Sequence, residues 1–111
     1  MATDGSARFG GARARLTAER ERVTNRIEQT RRRIEATQDP EGFDDTTTEA
    51  SERSEELILL ENLEAELADI DAALDRIADG TYGIDEDTGE PIDPARLEAV
   101  PTARTNVRRE R

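Results

Sequence analysis

The sequence predicts an all-α protein: an antiparallel coiled-coil helical hairpin, then a small turn-rich base and a short C-terminal helix. Three observations predict it. Leu60, Leu63, Leu67, Ile70, Leu74 and Ile77 fall at alternating spacings of three and four, a heptad seam that Leu57 extends upstream. A thinner seam precedes it, formed by Leu16, Val23, Ile27, Thr30 and Ile34 with Arg20 at the intervening position. Between the two lie Asp39-Pro40 and Gly42, which break a helix, and so short a link makes the helices antiparallel neighbours.

The elements follow in order. Residues 1–10, rich in Gly, Ala, Ser and Thr without an apolar period, are expected to form a flexible tail. Residues 11–79 form the hairpin. Its first helix runs to about Thr37 and carries too few apolar residues to stand alone, so it needs the second as partner. The tip spans 38–48, and this end of the hairpin is acidic, with Glu41, Asp44, Asp45, Glu49 and Glu52. Thr46 and Glu49 have the spacing of a capping box for the second helix, which Asp79-Gly80 ends. Residues 80–111 form the base and a basic C-terminal segment. Thr81-Tyr82-Gly83-Ile84 and Asp87-Thr88-Gly89-Glu90-Pro91 read as tight turns of a small hairpin. Asp93-Pro94 opens a short helix through Leu97 that Pro101 closes, and Arg104 to Arg111 is a candidate last helix.

Composition excludes most enzyme classes. Hydrophobic residues make up 33% of the 111, aromatic residues 3% and charged residues 39%, too little apolar material for a broad catalytic core. With no cysteine and no histidine, the chain has no disulfide, zinc-thiolate site, thiol nucleophile or imidazole base. The protein is expected not to be an enzyme. No apolar run suffices to cross a bilayer and Met1 is followed by small polar residues, so a soluble, cytoplasmic protein without membrane contact is expected.

Charge is segregated along the chain. The balance is +4 over residues 1–37, −18 over 38–100 and +3 over 101–111, which gives the net −11. The acidic middle would repel phosphates, so direct DNA binding is not expected. All sixteen basic residues are Arg, a bias that either a GC-rich genome or salt adaptation would produce.

From Leu59 onward the sequence resembles the DksA/TraR family. The resemblance is carried by Leu59-Leu60-Glu61-Asn62-Leu63, Ile70-Asp71-Ala72-Ala73-Leu74, Arg76-Ile77, Gly80-Thr81-Tyr82-Gly83, Gly89-Glu90-Pro91-Ile92 and Arg96-Leu97-Glu98-Ala99-Val100-Pro101-Thr102-Ala103. It covers about residues 45–109. The resemblance implies a coiled-coil hairpin on a zinc-finger-like base. It also implies a transcription regulator that binds RNA polymerase through the secondary channel, an acidic tip approaching the active centre. Some members act with guanosine tetraphosphate, which makes that nucleotide a candidate co-ligand at the complex.

Two departures accompany the resemblance. The four zinc-ligand positions of the family fall on Asp85, Thr88, Asn106 and Arg109, a set that cannot make a soft tetrahedral zinc site. The base is therefore expected to be metal-free, with no cofactor. Asp85 and Arg109 are then either ordinary exposed charges or a replacement staple, an ion pair with Thr88 and Asn106 hydrogen-bonding between them. The Asp-x-x-Asp-x-Ala tip motif of the family falls on Gly42, Asp45 and Thr47, so one position is retained and Asp44 stands beside it. The expected partner-binding tip is Asp44, Asp45 and Thr47.

Other motifs carry less. Asp85-Glu86-Asp87 with Gly89 lacks the spacing of a calcium loop. Arg31-Arg32-Arg33 reads as a solvated helix face, with Glu28 and Glu35 within helical reach, against a rival reading as a phosphate or polymerase contact. Both seams can close within one chain, so a monomer is expected, while Phe43, Ile58 and Leu59 could support a dimer. The alternative function is a non-catalytic helical adaptor that binds another protein and does not enter polymerase.

Overall fold

The structure, a computed structural model, describes residues 9–36 and 47–106 and the side chains of all of these but 47–49. The described residues form three helices and no strand: α1 (Gly10–Ala36), α2 (Thr47–Asp79) and α3 (Pro94–Ala99). The fold is all-α with a coiled-coil hairpin, as the seams require. The expected capping box and most of the expected tip lie outside the described residues.

Two compact units divide the chain. One unit is Arg20–Ala68; the other comprises the chain up to Glu19 together with Asp69 onward. In the first unit α1 and α2 run antiparallel: Arg31 pairs with Glu64 at 2.7 Å and Arg33 with Glu56 at 3.2 Å. Val23, Ile27, Thr30, Ile34 and Leu63 are buried there. Thr30 belongs in that seam because its hydroxyl donates to the Arg26 carbonyl at 2.7 Å and accepts from Arg33, so no polar atom is stranded.

The second seam differs from expectation at its upstream end. Leu63, Ile70 and Ile77 are buried and Leu60, Leu67 and Leu74 half-buried, but Leu57 is 47% exposed. The three-four spacing continues instead through Glu56 and Arg53, both half-buried. Leu57 and Ile58, the latter 57% exposed, therefore present an aliphatic step to solvent. Ala73, absent from the expected seam, is fully buried.

In the other unit the core is Leu16, Ile70, Ala73, Ile77, Tyr82, Ile92 and Ala103. The expected tail is corrected at its end. Gly10 is already helical, and Phe9 accepts the Arg13 N–H at 2.9 Å while its ring meets Tyr82 edge-on, centroids 4.8 Å apart. α2 ends in a Schellman motif: Gly80, at φ +83°, donates to the Ile77 carbonyl, and Thr81 donates to that of Arg76. The expected small hairpin is a single antiparallel bridge, Ile84 to Pro91. α3 starts as expected, the Asp93 carboxylate accepting from the Ala95 N–H with Pro94 next in line. Arg104–Asn106 are not helical, so no last helix begins among them.

Gly83 fixes how closely the base can pack. Its φ is +84°, and a Cβ there would stand 3.1 Å from the Phe9 ring and 3.5 Å from Leu97. Gly83→Ala combines left-handed strain with that contact and is expected to cost about 1–2 kcal/mol. A thermal melt unchanged from wild type would show that Phe9 does not lie there.

Candidate functional site

Two groups of residues were expected to carry function. Of the tip, Asp44 and Asp45 lie outside the described residues, and Thr47 is the first residue of α2 with its side chain undescribed. Of the base positions, Asp85, Thr88 and Asn106 are brought together and Arg109 lies outside the described residues. The expected Asp85–Arg109 pair is thus outside what the structure describes.

The Schellman turn delivers the chain from α2 into Tyr82, Gly83 and Asp85, all buried. Asp85 opens the turn over residues 86–88 and is only 4% exposed. Its Oδ1 accepts the backbone N–H of Asp87 at 2.7 Å and of Thr88 at 3.1 Å; its Oδ2 accepts that of Asn106 at 2.9 Å. The Asn106 carboxamide accepts from the Asp93 N–H at 2.6 Å and donates to the Pro91 carbonyl at 2.9 Å. Thr88 Oγ1 accepts from the Glu90 N–H at 3.2 Å. Main-chain bonds Asp85 N–H to Glu90 O (2.8 Å) and Glu86 N–H to Arg104 O (2.9 Å) close the same ring. Of the carboxylates in Asp85-Glu86-Asp87 only Asp85 is turned inward; Glu86 and Asp87 are exposed.

Beside this ring a groove of about 450 Å³ is lined by Phe9, Arg15, Tyr82, Ile92, Leu97 and Pro101, among others. Arg15 donates to the Glu98 carbonyl at 2.6 Å, and the Tyr82 hydroxyl to that of Pro101 at 2.7 Å. Ile84 and Val100 are 41% and 39% exposed. The packing is done by Tyr82, Ile92 and Ala103.

Electrostatics here follow burial. Arg76 donates to the Thr102 carbonyl at 3.4 Å, and its Nη1 is buried without a hydrogen-bond partner. Burial, reinforced by Arg104, lowers its proton affinity, while Glu86, paired to Arg104 at 2.9 Å, opposes the shift. Burial also raises the Tyr82 phenol above its usual 10.0, against the pull of Arg76 and Arg15. A pKa raised in the folded state stabilises fully below the unfolded value and less as pH climbs through the folded one. Folding stability should therefore fall above about pH 10, and fall less in Tyr82→Phe. Tyr82 is the only tyrosine and there is no tryptophan, so ultraviolet absorbance follows this group alone. Its native midpoint is expected above 10.0 and back near that value in denaturant. A native midpoint at or below 10.0 would contradict the burial.

The arginine run reads as the solvated-face alternative has it. Arg31, Arg32 and Arg33 each meet a carboxylate, those of Glu64, Glu28 and Glu56. Such exposed pairs contribute little to stability, under about 1 kcal/mol each.

The profile of the Prokaryotic dksA/traR C4-type zinc finger matches residues 80–105. The structure of transcription factor DksA2 from Pseudomonas aeruginosa superimposes with a TM-score of 0.79 at 34% identity. That likeness covers 86% of this chain and 74% of DksA2. The chain belongs to the DksA/TraR family. Among curated members of that family, the RNA polymerase-binding transcription factor DksA of Caulobacter vibrioides (strain NA1000 / CB15N) is 44% identical over 63 residues. The match spans 57% of this chain and 44% of that protein. YlyA of Bacillus subtilis is 41% identical over 56 residues, half of this chain and 45% of its own. The chain thus spans less than half the length of the curated relatives it matches.

A C4-type finger holds its metal by four thiolates. This DksA/TraR chain has no cysteine, and the described residues at three of those positions do not fit zinc. The Asp85 carboxylate and the Asn106 carboxamide oxygen already accept backbone N–H groups, and Thr88 offers only a neutral hydroxyl. Among the described residues no group of three acidic side chains gathers to hold a metal. No described helix is long and apolar enough to cross a membrane.

Proposed function

We propose that this protein regulates transcription by binding RNA polymerase, its hairpin entering the secondary channel so that Asp44 and Asp45 approach the active centre. The observation that carries the reading is the likeness to DksA2, a transcription factor, over 86% of the chain. The relative named as RNA polymerase-binding adds the partner. The mechanism would be steric and electrostatic, with no bond made or broken. Tip carboxylates would act on the environment of the catalytic Mg²⁺, and guanosine tetraphosphate is a candidate co-ligand at the complex.

A tagged full-length chain should retain core RNA polymerase as its dominant partner. Asp44→Ala/Asp45→Ala replaces two acidic residues that belong to neither heptad seam of the sequence, so stability should change by no more than about 0.5 kcal/mol. The double variant should still bind polymerase and lose its effect on transcription in vitro. Unchanged transcriptional activity would remove the tip from the mechanism. Absence of polymerase from the captured material would favour the adaptor reading, for which the exposed Leu57–Ile58 step offers a contact.

A further inference from the structure

We propose that the Asp85 carboxylate is an internal anchor that does the work a zinc ion does in a C4-type finger, holding the turn that follows it and the stretch at Asn106 around a buried anion. A zinc ion gathers four anionic sulfurs around a cation. Here the polarity is inverted: one anion gathers backbone N–H dipoles. Both oxygens are engaged and by different segments. Oδ1 closes the turn over Asp87 and Thr88, while Oδ2 reaches Asn106, 21 residues along the chain. Asn106 then carries the link onward, its side chain gripping Pro91 and Asp93. The ring therefore ties the turn that Asp85 opens, the bridge and the C-terminal stretch, the segments that a metal would join. Thr88 contributes by its main chain and by its hydroxyl to Glu90, each closing the local turn.

This assignment is independent of what the protein binds. It also explains why the charge matters as well as the shape. Asparagine at position 85 would preserve size but provide one acceptor oxygen. With that oxygen over Asp87 and Thr88, its NH₂ group would face the Asn106 N–H, donor against donor.

The test uses full-length protein and amide NMR. In the wild type, scalar couplings across the hydrogen bonds should connect the Asp85 carboxyl carbon with the amide nitrogens of Asp87, Thr88 and Asn106. In Asp85→Asn, hydrogen exchange at the Asn106 amide should rise by about tenfold or more, and at Asp87 and Thr88 by less. Zn²⁺ or a chelator should leave the wild-type amide spectrum unchanged. Should Asp85→Asn fail to fold, the wild-type couplings still decide. Absence of the coupling to Asn106, unaltered exchange in the variant, or zinc-induced shifts at residues 85, 88 and 106 would each overturn the proposal.

Discussion

Leu63→Asp is expected to abolish cooperative folding of the hairpin. Leu63 is buried in the Arg20–Ala68 unit, whose other buried residues, among those described, are three aliphatic side chains and one threonine, all on α1. Truncating such a leucine costs about 2–5 kcal/mol through lost burial and the cavity left behind. A carboxylate in its place adds a desolvation penalty within the seam. Small domains have about 5–15 kcal/mol in total, and a two-helix unit has little to spare. Leu67→Asp and Leu74→Asp should cost less, because those leucines are half-buried and water can reach the new charge. Thermal melts followed by far-ultraviolet circular dichroism would rank the three. Leu63→Asp melting with wild-type cooperativity would place the seam on another face of α2.

Tyr82→Ala is expected to destabilise the other unit by about 3–5 kcal/mol, the range for removing a buried aromatic side chain. Three contributions vanish together: burial, the edge-on contact with Phe9 and the hydroxyl bond to Pro101. Tyr82→Phe keeps the first two and loses only the hydroxyl, so about 1 kcal/mol is expected. The sensitive reporter is the Ile92 amide, which donates to the Gly83 carbonyl at 2.7 Å. Its exchange should accelerate strongly in Tyr82→Ala and slightly in Tyr82→Phe. Equal exchange in the two variants would mean that the ring contributes nothing beyond its hydroxyl.

Periodicity made the hairpin legible in the sequence because burial on a helix repeats, and three- and four-residue spacings record it directly. The same rule misplaced Leu57, because an apolar residue at heptad-like spacing reads as buried whether or not the opposing helix covers it. There Glu56 and Arg53 continue the seam, their long aliphatic stems substituting for apolar side chains. The base has no period to read. Its contacts join Phe9 to Tyr82 and Asp85 to Asn106, pairs far apart in sequence, and the exposure of Ile84 and Val100 follows from turns rather than from residue type. Motif resemblance located Asp85, Thr88 and Asn106 as a set, and chemistry excluded zinc from them. The residues alone did not reveal that the Asp85 carboxylate would be filled by main-chain N–H groups. Phe9 left no signal either, as a lone aromatic in a Gly- and Ala-rich stretch.

Entry of the tip into the polymerase active centre is the central claim, and replacing the catalytic Mg²⁺ of the polymerase by Fe²⁺ tests it most directly. Hydroxyl radicals generated at that ion cut only backbone held close to it. With the end-labelled full-length chain bound to polymerase, cleavage should fall within residues 38–48 and nowhere in the base, and free chain should remain intact. Bound chain that is uncut at the tip, or cut in the base instead, would contradict secondary-channel entry while leaving the fold and the Asp85 anchor standing.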